Sequence, residues 1–515
     1  MDSLDSLGAA VVRDLVGAGS IGAIACLLAG SAGAQTFADP FVQASVYASG
    51  LQFPTSFAFL PGAPAAPVDL LVLEKFTGRV QHFRDGVLQG TALDLAVSNY
   101  GERGLLGIAV HPRFATNRRV YLYYTASPTS MDAPEIGIVL DNRVARCSWN
   151  GAALDSVQTI LSLPAASNFV HIGGVITFGP DSLLYGIIGD VGVFGQLANV
   201  PNGPPPGDTS MIFRVHDDGT SPPDNPFFAL GGAMQKVYGF GIRNSFGIEF
   251  DPVSNVLWET ENGTSQYDEV NRVLPGWNGG WSKILGPDAR DPDDIGSLWY
   301  PTADTTYSDP EFSWLGSVAP TAIHFLRTDS LGADPTGSPY RHDAFVATYI
   351  PATAGIYHYE MTPDRAQLVM PDASVADLVA DTAAERNLFL WGSGFGGGVV
   401  DLETGPDGAL YALGFEAGKL FRIARARTSD VVVTPRGRLE AWPNPSRGVV
   451  YVRAPQSETA NILRIHSPAG RLVAIIHGGD RFRWDGRDTT GRRVAPGIYF
   501  ARIAGNAPLS LVLVR

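Results

Sequence analysis

The sequence predicts an all-β chain: a six-bladed β-propeller followed by a small β-sandwich. Three observations carry this expectation. A short unit recurs, built on a Pro-Asp-Gly-like turn and then alternating strands: FGPDSLLYGIIGD (178–190), FDPVSNVLWETENG (250–263) and GPDGALYALGFEAGKLFRI (405–423), with VDLLVLEKFTGRVQHFRDG (68–86) as a further copy. Repeats of roughly 40–60 residues made of short strands are the signature of a propeller, and residues 40–428 hold about six of them. The chain has 59 Gly and 37 Pro in 515 residues with 45% hydrophobic residues, which is turn-rich and core-forming rather than disordered. The charge also changes sign along the chain. From Asp430 onward 13 Arg and no Lys face 6 acidic residues, a balance of +7 that leaves −21 of the overall −14 on the preceding part. An acidic body followed by a basic module places a boundary near residue 430 and argues against nucleic-acid binding by the body.

Taken from the start, residues 20–34 carry an apolar run ending in Ala32-Gly33-Ala34 before Gln35. This fits a secretory signal peptide over 1–34 and export to the periplasm, cell surface or medium. The run is too short for a membrane span, and no transmembrane span is expected elsewhere. Cys26 falls in this segment, so Cys147 is the only thiol of the exported chain and no intramolecular disulfide is expected. PNGPPPGD (201–208) and DARDPDDIG (288–296) read as loops by composition. Over 439–515 the pattern becomes WPNPSRGVVYVRAP, ILRIHSPAGRLVAII and FRWDGRDTTGRRVAPGIYFARI. These are alternating strands joined by Gly-containing turns, with Trp484 as a core anchor and Gly497 as a turn or bulge.

Two strings concentrate the residues able to do chemistry. HIGGVITFGPDSLLYGIIGD begins at His171, and GFGIRNSFGIEFDP (239–252) leads into WETENGTSQYDEVNRVLPGWNGGW (258–281). Together they resemble the soluble quinoprotein glucose dehydrogenase and sorbosone dehydrogenase family, over about 390 residues. The resemblance implies an exported oxidoreductase that oxidises a sugar or aldose hydroxyl with pyrroloquinoline quinone (PQQ) and Ca2+. It implies that His171 is the general base taking the hydroxyl proton. It makes Arg243 a catalytic and cofactor contact, Asn244 and Glu102 cofactor contacts, and the main-chain carbonyls of Gly263 and Thr264 the calcium ligands. By residue type alone a single His is most often structural; a base needs a working pKa and a fixed position. Residues 439–515 resemble the FlgD-type immunoglobulin-like module, which implies a contact for export or cell-surface machinery.

The chain departs from the resemblance at several cationic positions. YIPATAGIYHYE (349–360) lacks the family's Lys, Gly398 and Val400 stand where two Arg are usual, and Val175 follows the H-x-G-G stretch. PQQ is a tricarboxylate, and each lost charge-assisted hydrogen bond is worth about 1.5–3 kcal/mol. Two other functions therefore stay open: a non-catalytic extracellular propeller binding a glycan or protein, and a Ca2+-dependent lactonase-type hydrolase with Asn244, Glu261 and Asp190 on the metal. The partners the resemblance implies are a small-molecule sugar and an electron acceptor.

Overall fold

Strand Arg119–Thr125 shows how the body is built. Val120, Leu122 and Tyr124 pack into one apolar cluster, while Tyr121 and Tyr123 pack into another. Side chains alternate across a strand, so a sheet stacked on both faces must be apolar on both. That is why the strands read as near-continuous hydrophobic runs such as RVYLYYT, with six of the seven residues buried.

The computed structural model describes residues 35–62, 67–134, 140–165, 169–327, 331, 340–425, 439–453, 462–468, 471–478, 481–503 and 508–514. The expected signal segment 1–34 and the stretch 426–438 lie outside the described residues. Within them, six sheets succeed one another from Pro54 to Arg425. Their first strands are Pro54–Leu60, Leu105–Val110, Ile176–Phe178, Ser245–Phe250, Pro320–Phe325 and Val399–Thr404. Each first strand neighbours the next, and Val399–Thr404 returns to Pro54–Leu60. An apolar cluster fills each of the six gaps, including the one between the last sheet and the first. This is a propeller, with the first strands around a central channel.

Strands from the two ends of the propeller segment close the ring. Thr36–Phe37 adds to the fifth sheet beside Leu390–Ser393, and Val42–Ser49 pairs antiparallel with Lys419–Arg425 in the sixth. An N-terminal strand completing a C-terminal sheet means the ring cannot open without breaking that pairing.

The recurring Asp of the repeat has a local reason. Asp181 accepts from Leu183 N–H, Asp251 from Val253 N–H and Asp407 from Ala409 N–H, capping the turn two residues on. Each also anchors an Arg: Asp181 binds Arg214, Asp251 binds Arg365 and Asp407 binds Arg422.

Beyond the ring, Glu440–Trp442, Val450–Arg453 and Arg481–Trp484 form one sheet, and Ile462–His466, Leu472–His477, Gly497–Arg502 and Leu509–Leu513 form another. They enclose Val450, Val452, Leu463, Ile465, Phe482, Trp484 and Tyr499. Trp484 is 1% exposed and its Nε1–H donates to Arg487 O at 2.8 Å. Gly497 opens a strand opposite Leu513 instead of forming a turn or bulge.

Candidate active site at the channel mouth

The loops entering the first strands of the second, third and fourth sheets meet at one end of the channel. They carry Glu102, His171 and the Arg243-Asn244 pair. The loops after the second strands of the third and fourth sheets add Asp190 and Gly263.

His171 sits at φ +62°, a strained backbone for a non-glycine residue that needs outside support. Glu102 supplies it: its Oε2 accepts the N–H of His171 at 2.6 Å and of Ile172 at 3.2 Å. The imidazole Nδ1 lies 2.7 Å from Asp190 Oδ1. The Asp190 side chain is fully buried, and that of His171 is 16% exposed. Asp190 Oδ1 also accepts Gly192 N–H at 2.7 Å, and its Oδ2 accepts Trp281 Nε1–H at 2.9 Å. A buried carboxylate on Nδ1 keeps the proton there, which turns the Nε2 lone pair outward as a base.

Arg243 and Asn244 are held from below by Glu261. Its carboxylate accepts Arg243 N–H at 2.9 Å, Asn244 N–H at 2.7 Å and Asn262 N–H at 2.9 Å. Burial pushes the Glu261 carboxyl well above its ordinary range, with the neighbouring Glu259 and Glu269 adding to the shift. The Arg243 guanidinium lies 5.6 Å over the Trp281 ring and its Nη1 donates to Asn262 O at 2.9 Å and Gly263 O at 2.8 Å. Arg243 O accepts Asp190 N–H at 2.9 Å, tying the two loops together.

Two buried polar atoms of the pair have no partner: Arg243 Nε and Asn244 Oδ1. Buried polar groups are usually paired, so this donor and acceptor at the channel mouth are available to a ligand.

Glu102, His171, Arg243, Asn244 and Gly263 thus converge. Glu102, expected as a cofactor contact, spends Oε2 on the His171 loop and Oε1 on Asn244 Nδ2 at 3.2 Å. Gly263 is required by packing, because a Cβ there would lie 2.3 Å from Gln266 O and 2.4 Å from Tyr267 O. Thr264 sits on the exposed part of that loop. Asp190 and Glu261, weighed above as metal ligands for hydrolysis, are engaged by the donors just described. Among the described residues no three acidic, His or Cys side chains converge as a metal site.

Lys75 escaped the sequence reading, where it was only part of a repeat copy. It is buried, and its Nζ donates to Gly101 O and Arg103 O, both at 2.7 Å. Desolvation lowers its pKa to about 7 against the opposing pull of Glu102. Its two acceptors flank Glu102, so it fixes the loop that fixes His171. Trp281 escaped as well; only the fold brings it to Asp190.

The opposite rim, from the fifth, sixth and first sheets, is aromatic. Phe53 meets Phe76 and Phe415, each at 5.3 Å between ring centroids, and Tyr349 meets Phe415 at 5.9 Å. A Cβ on Gly398 would lie 2.3 Å from Tyr349 Cδ2, and Gly398 N–H donates to Glu416 Oε2 at 2.8 Å. A tyrosine ring and a carboxylate therefore stand where the resemblance implies cations. Arg243 Nε and Asn244 Oδ1 offer a planar quinone an unpartnered donor and acceptor, whereas Glu416 at this rim opposes its carboxylates.

The chain belongs to the glucose/sorbosone dehydrogenase family, whose model matches residues 51–422. Aldose sugar dehydrogenase of Escherichia coli K12 is 25% identical over 399 residues, covering 74% of this chain and 93% of that protein. Quinoprotein glucose dehydrogenase B of Acinetobacter calcoaceticus is 31% identical over 202 residues, covering 36% of this chain and 41% of that one. Among solved structures, a glucose dehydrogenase-like oxidoreductase of Thermus thermophilus matches with a TM-score of 0.55 and 28% identity, covering 74% of this chain and 99% of the other. No helix among the described residues is long and apolar enough to cross a membrane.

Proposed function

We propose that the chain is an exported sugar dehydrogenase that oxidises an aldose hydroxyl, with PQQ as the hydride acceptor and Ca2+ beside it. The observation that carries this reading is the His171–Asp190 pair set beside the unsatisfied Arg243 Nε and Asn244 Oδ1. The sugar hydroxyl donates its proton to His171 Nε2, while Asp190 holds Nδ1–H and stabilises the imidazolium that forms. When bound, PQQ supplies a two-electron acceptor for the hydride of the same carbon. Arg243 and Asn244 would hold its quinone end, Arg243 providing positive charge there. The Gly263 and Thr264 carbonyls would face the calcium. Gly263 O already accepts from Arg243 Nη1, and a carbonyl oxygen has a second lone pair to offer.

Residues 1–34 act as the export signal in this reading, 40–428 as the catalytic propeller with six blades, and 439–515 as a FlgD-like immunoglobulin-type module that contacts export or cell-surface machinery. A second reading, a propeller that binds a glycan or protein without turnover, draws support from Tyr349 and Glu416 at the rim.

The test is to titrate residues 35–515 with PQQ and Ca2+, following quinone absorbance and heat, and then to screen aldoses with an artificial electron acceptor. Saturable micromolar binding and turnover are expected. In His171→Gln, turnover should vanish while PQQ binding persists. No PQQ binding in the presence of Ca2+ would remove the dehydrogenase reading in favour of the non-catalytic one.

A further inference from the structure

The three-stranded sheet after the propeller buries one face and leaves the other in solvent. Its buried side carries Val450, Val452, Phe482 and Trp484. Its exposed side is read from the register: Trp442, Tyr451 and Arg483 stand in one cross-strand row, and Glu440, Arg453 and Arg481 in the next. All six are exposed. The Trp442 and Tyr451 rings stack at 6.1 Å between centroids and 24° between planes, and both stay about two-fifths exposed, at 43% and 41%. Arg481 and Arg483 border them, and these four residues with Phe482 line an open cleft of about 360 Å3. Arg453, Arg481 and Arg483 make no side-chain hydrogen bond or ion pair among the described residues, unlike Arg214, Arg365 and Arg422 of the propeller.

We infer that this cleft binds an acidic polysaccharide chain. Indole and phenol faces offer large rigid apolar area to the C–H face of a sugar ring, and guanidinium forks match carboxylates in a bidentate manner. Three arginines against Glu440 attract an anion locally, and in the exported reading proposed above, on which this inference rests, the anionic polymer the module meets is a polysaccharide. The propeller would thereby be tethered to an anionic saccharide surface through its terminal module.

The experiment is affinity electrophoresis of residues 35–515 through gels containing polygalacturonate, neutral dextran or single-stranded DNA, at two salt concentrations. Retention by polygalacturonate alone is expected, weaker at the higher salt. Arg481→Ala/Arg483→Ala and Trp442→Ala should each weaken it by about tenfold or more, with unchanged circular dichroism and melting temperature. Should Trp442→Ala unfold the module, the double arginine variant decides alone, and Arg481→Lys/Arg483→Lys should give an intermediate loss. No retention, retention unchanged by the arginine variants, or equal retention by DNA would each overturn the inference. So would a dimer in light scattering that the arginine variants dissolve, because the face would then be a self-interface.

Discussion

Asp190→Asn gives the sharpest test of the site. The wild-type carboxylate is fully buried and accepts from His171 Nδ1, Gly192 N–H and Trp281 Nε1. An asparagine keeps one carbonyl oxygen, removes the charge and turns an NH2 toward at least one of those donors. A hydrogen bond to a charged group is worth about 1.5–3 kcal/mol and a neutral one about 0.5–1.5, and a buried donor left unpaired costs about 1–3 kcal/mol. Together these give a destabilisation of about 2–4 kcal/mol, readable as a shift in the denaturant midpoint at constant m-value. The catalytic effect is separate. With an amide in place of the carboxylate, Nδ1 can instead accept a hydrogen bond, which places the imidazole proton on Nε2 and removes the base. Turnover at saturating sugar should fall by about 10²–10⁴-fold, with KM and PQQ affinity little changed. Steady-state kinetics with an artificial acceptor, beside urea unfolding, reads both. A folded Asp190→Asn protein that turns over within threefold of the parent would refute the assignment of Asp190 as the residue that orients His171.

Other expectations concern the surrounding shell. Burial raises the pKa of Glu259 to about 8 and of Glu269 to about 7, with their mutual repulsion contributing to the Glu259 shift. Folded values above the unfolded one mean that the native state holds more protons, so stability should decline as pH rises from about 4.5 through about 8; Glu259→Gln should flatten that decline in urea titrations at pH 5 and 8.5. Gly263→Ala forces a Cβ against two carbonyl oxygens and should cost about 1–3 kcal/mol and weaken PQQ and Ca2+ binding measured by calorimetry. Gly398→Arg alone should destabilise, because Tyr349 fills the space. Combined with Tyr349→Ala it should be tolerated and tighten PQQ binding by about tenfold.

Much of the propeller was legible in the chain because its physical causes are local. A capped turn such as the one at Asp181 depends on residues two positions apart, and alternation along RVYLYYT reports a strand covered on both faces. His171, Arg243, Asn244 and Gly263 were legible because short strings surround them. Trp281 and Lys75 were not: nothing beside them in sequence reveals that one reaches Asp190, 91 positions away, or that the other reaches Gly101 O and Arg103 O. Glu102 was found as a member of the site, yet its partners lie 69 and 142 positions away, and they make it a brace for His171 and Asn244.

The sequence by itself determined the class of fold, the sign of each half's charge and the chemical types gathered at the channel mouth, since composition, periodicity and turn chemistry are properties of neighbouring residues. Tertiary structure alone decided which polar atoms are spent and which are left over. It closed the ring through Val42–Ser49, oriented His171 through Asp190, left Arg243 Nε and Asn244 Oδ1 unsatisfied, and set Tyr349 and Glu416 on the far rim. The physical reason is that a buried group's state depends on every donor, acceptor and charge packed against it, and in a ring of sheets those neighbours come from distant parts of the chain.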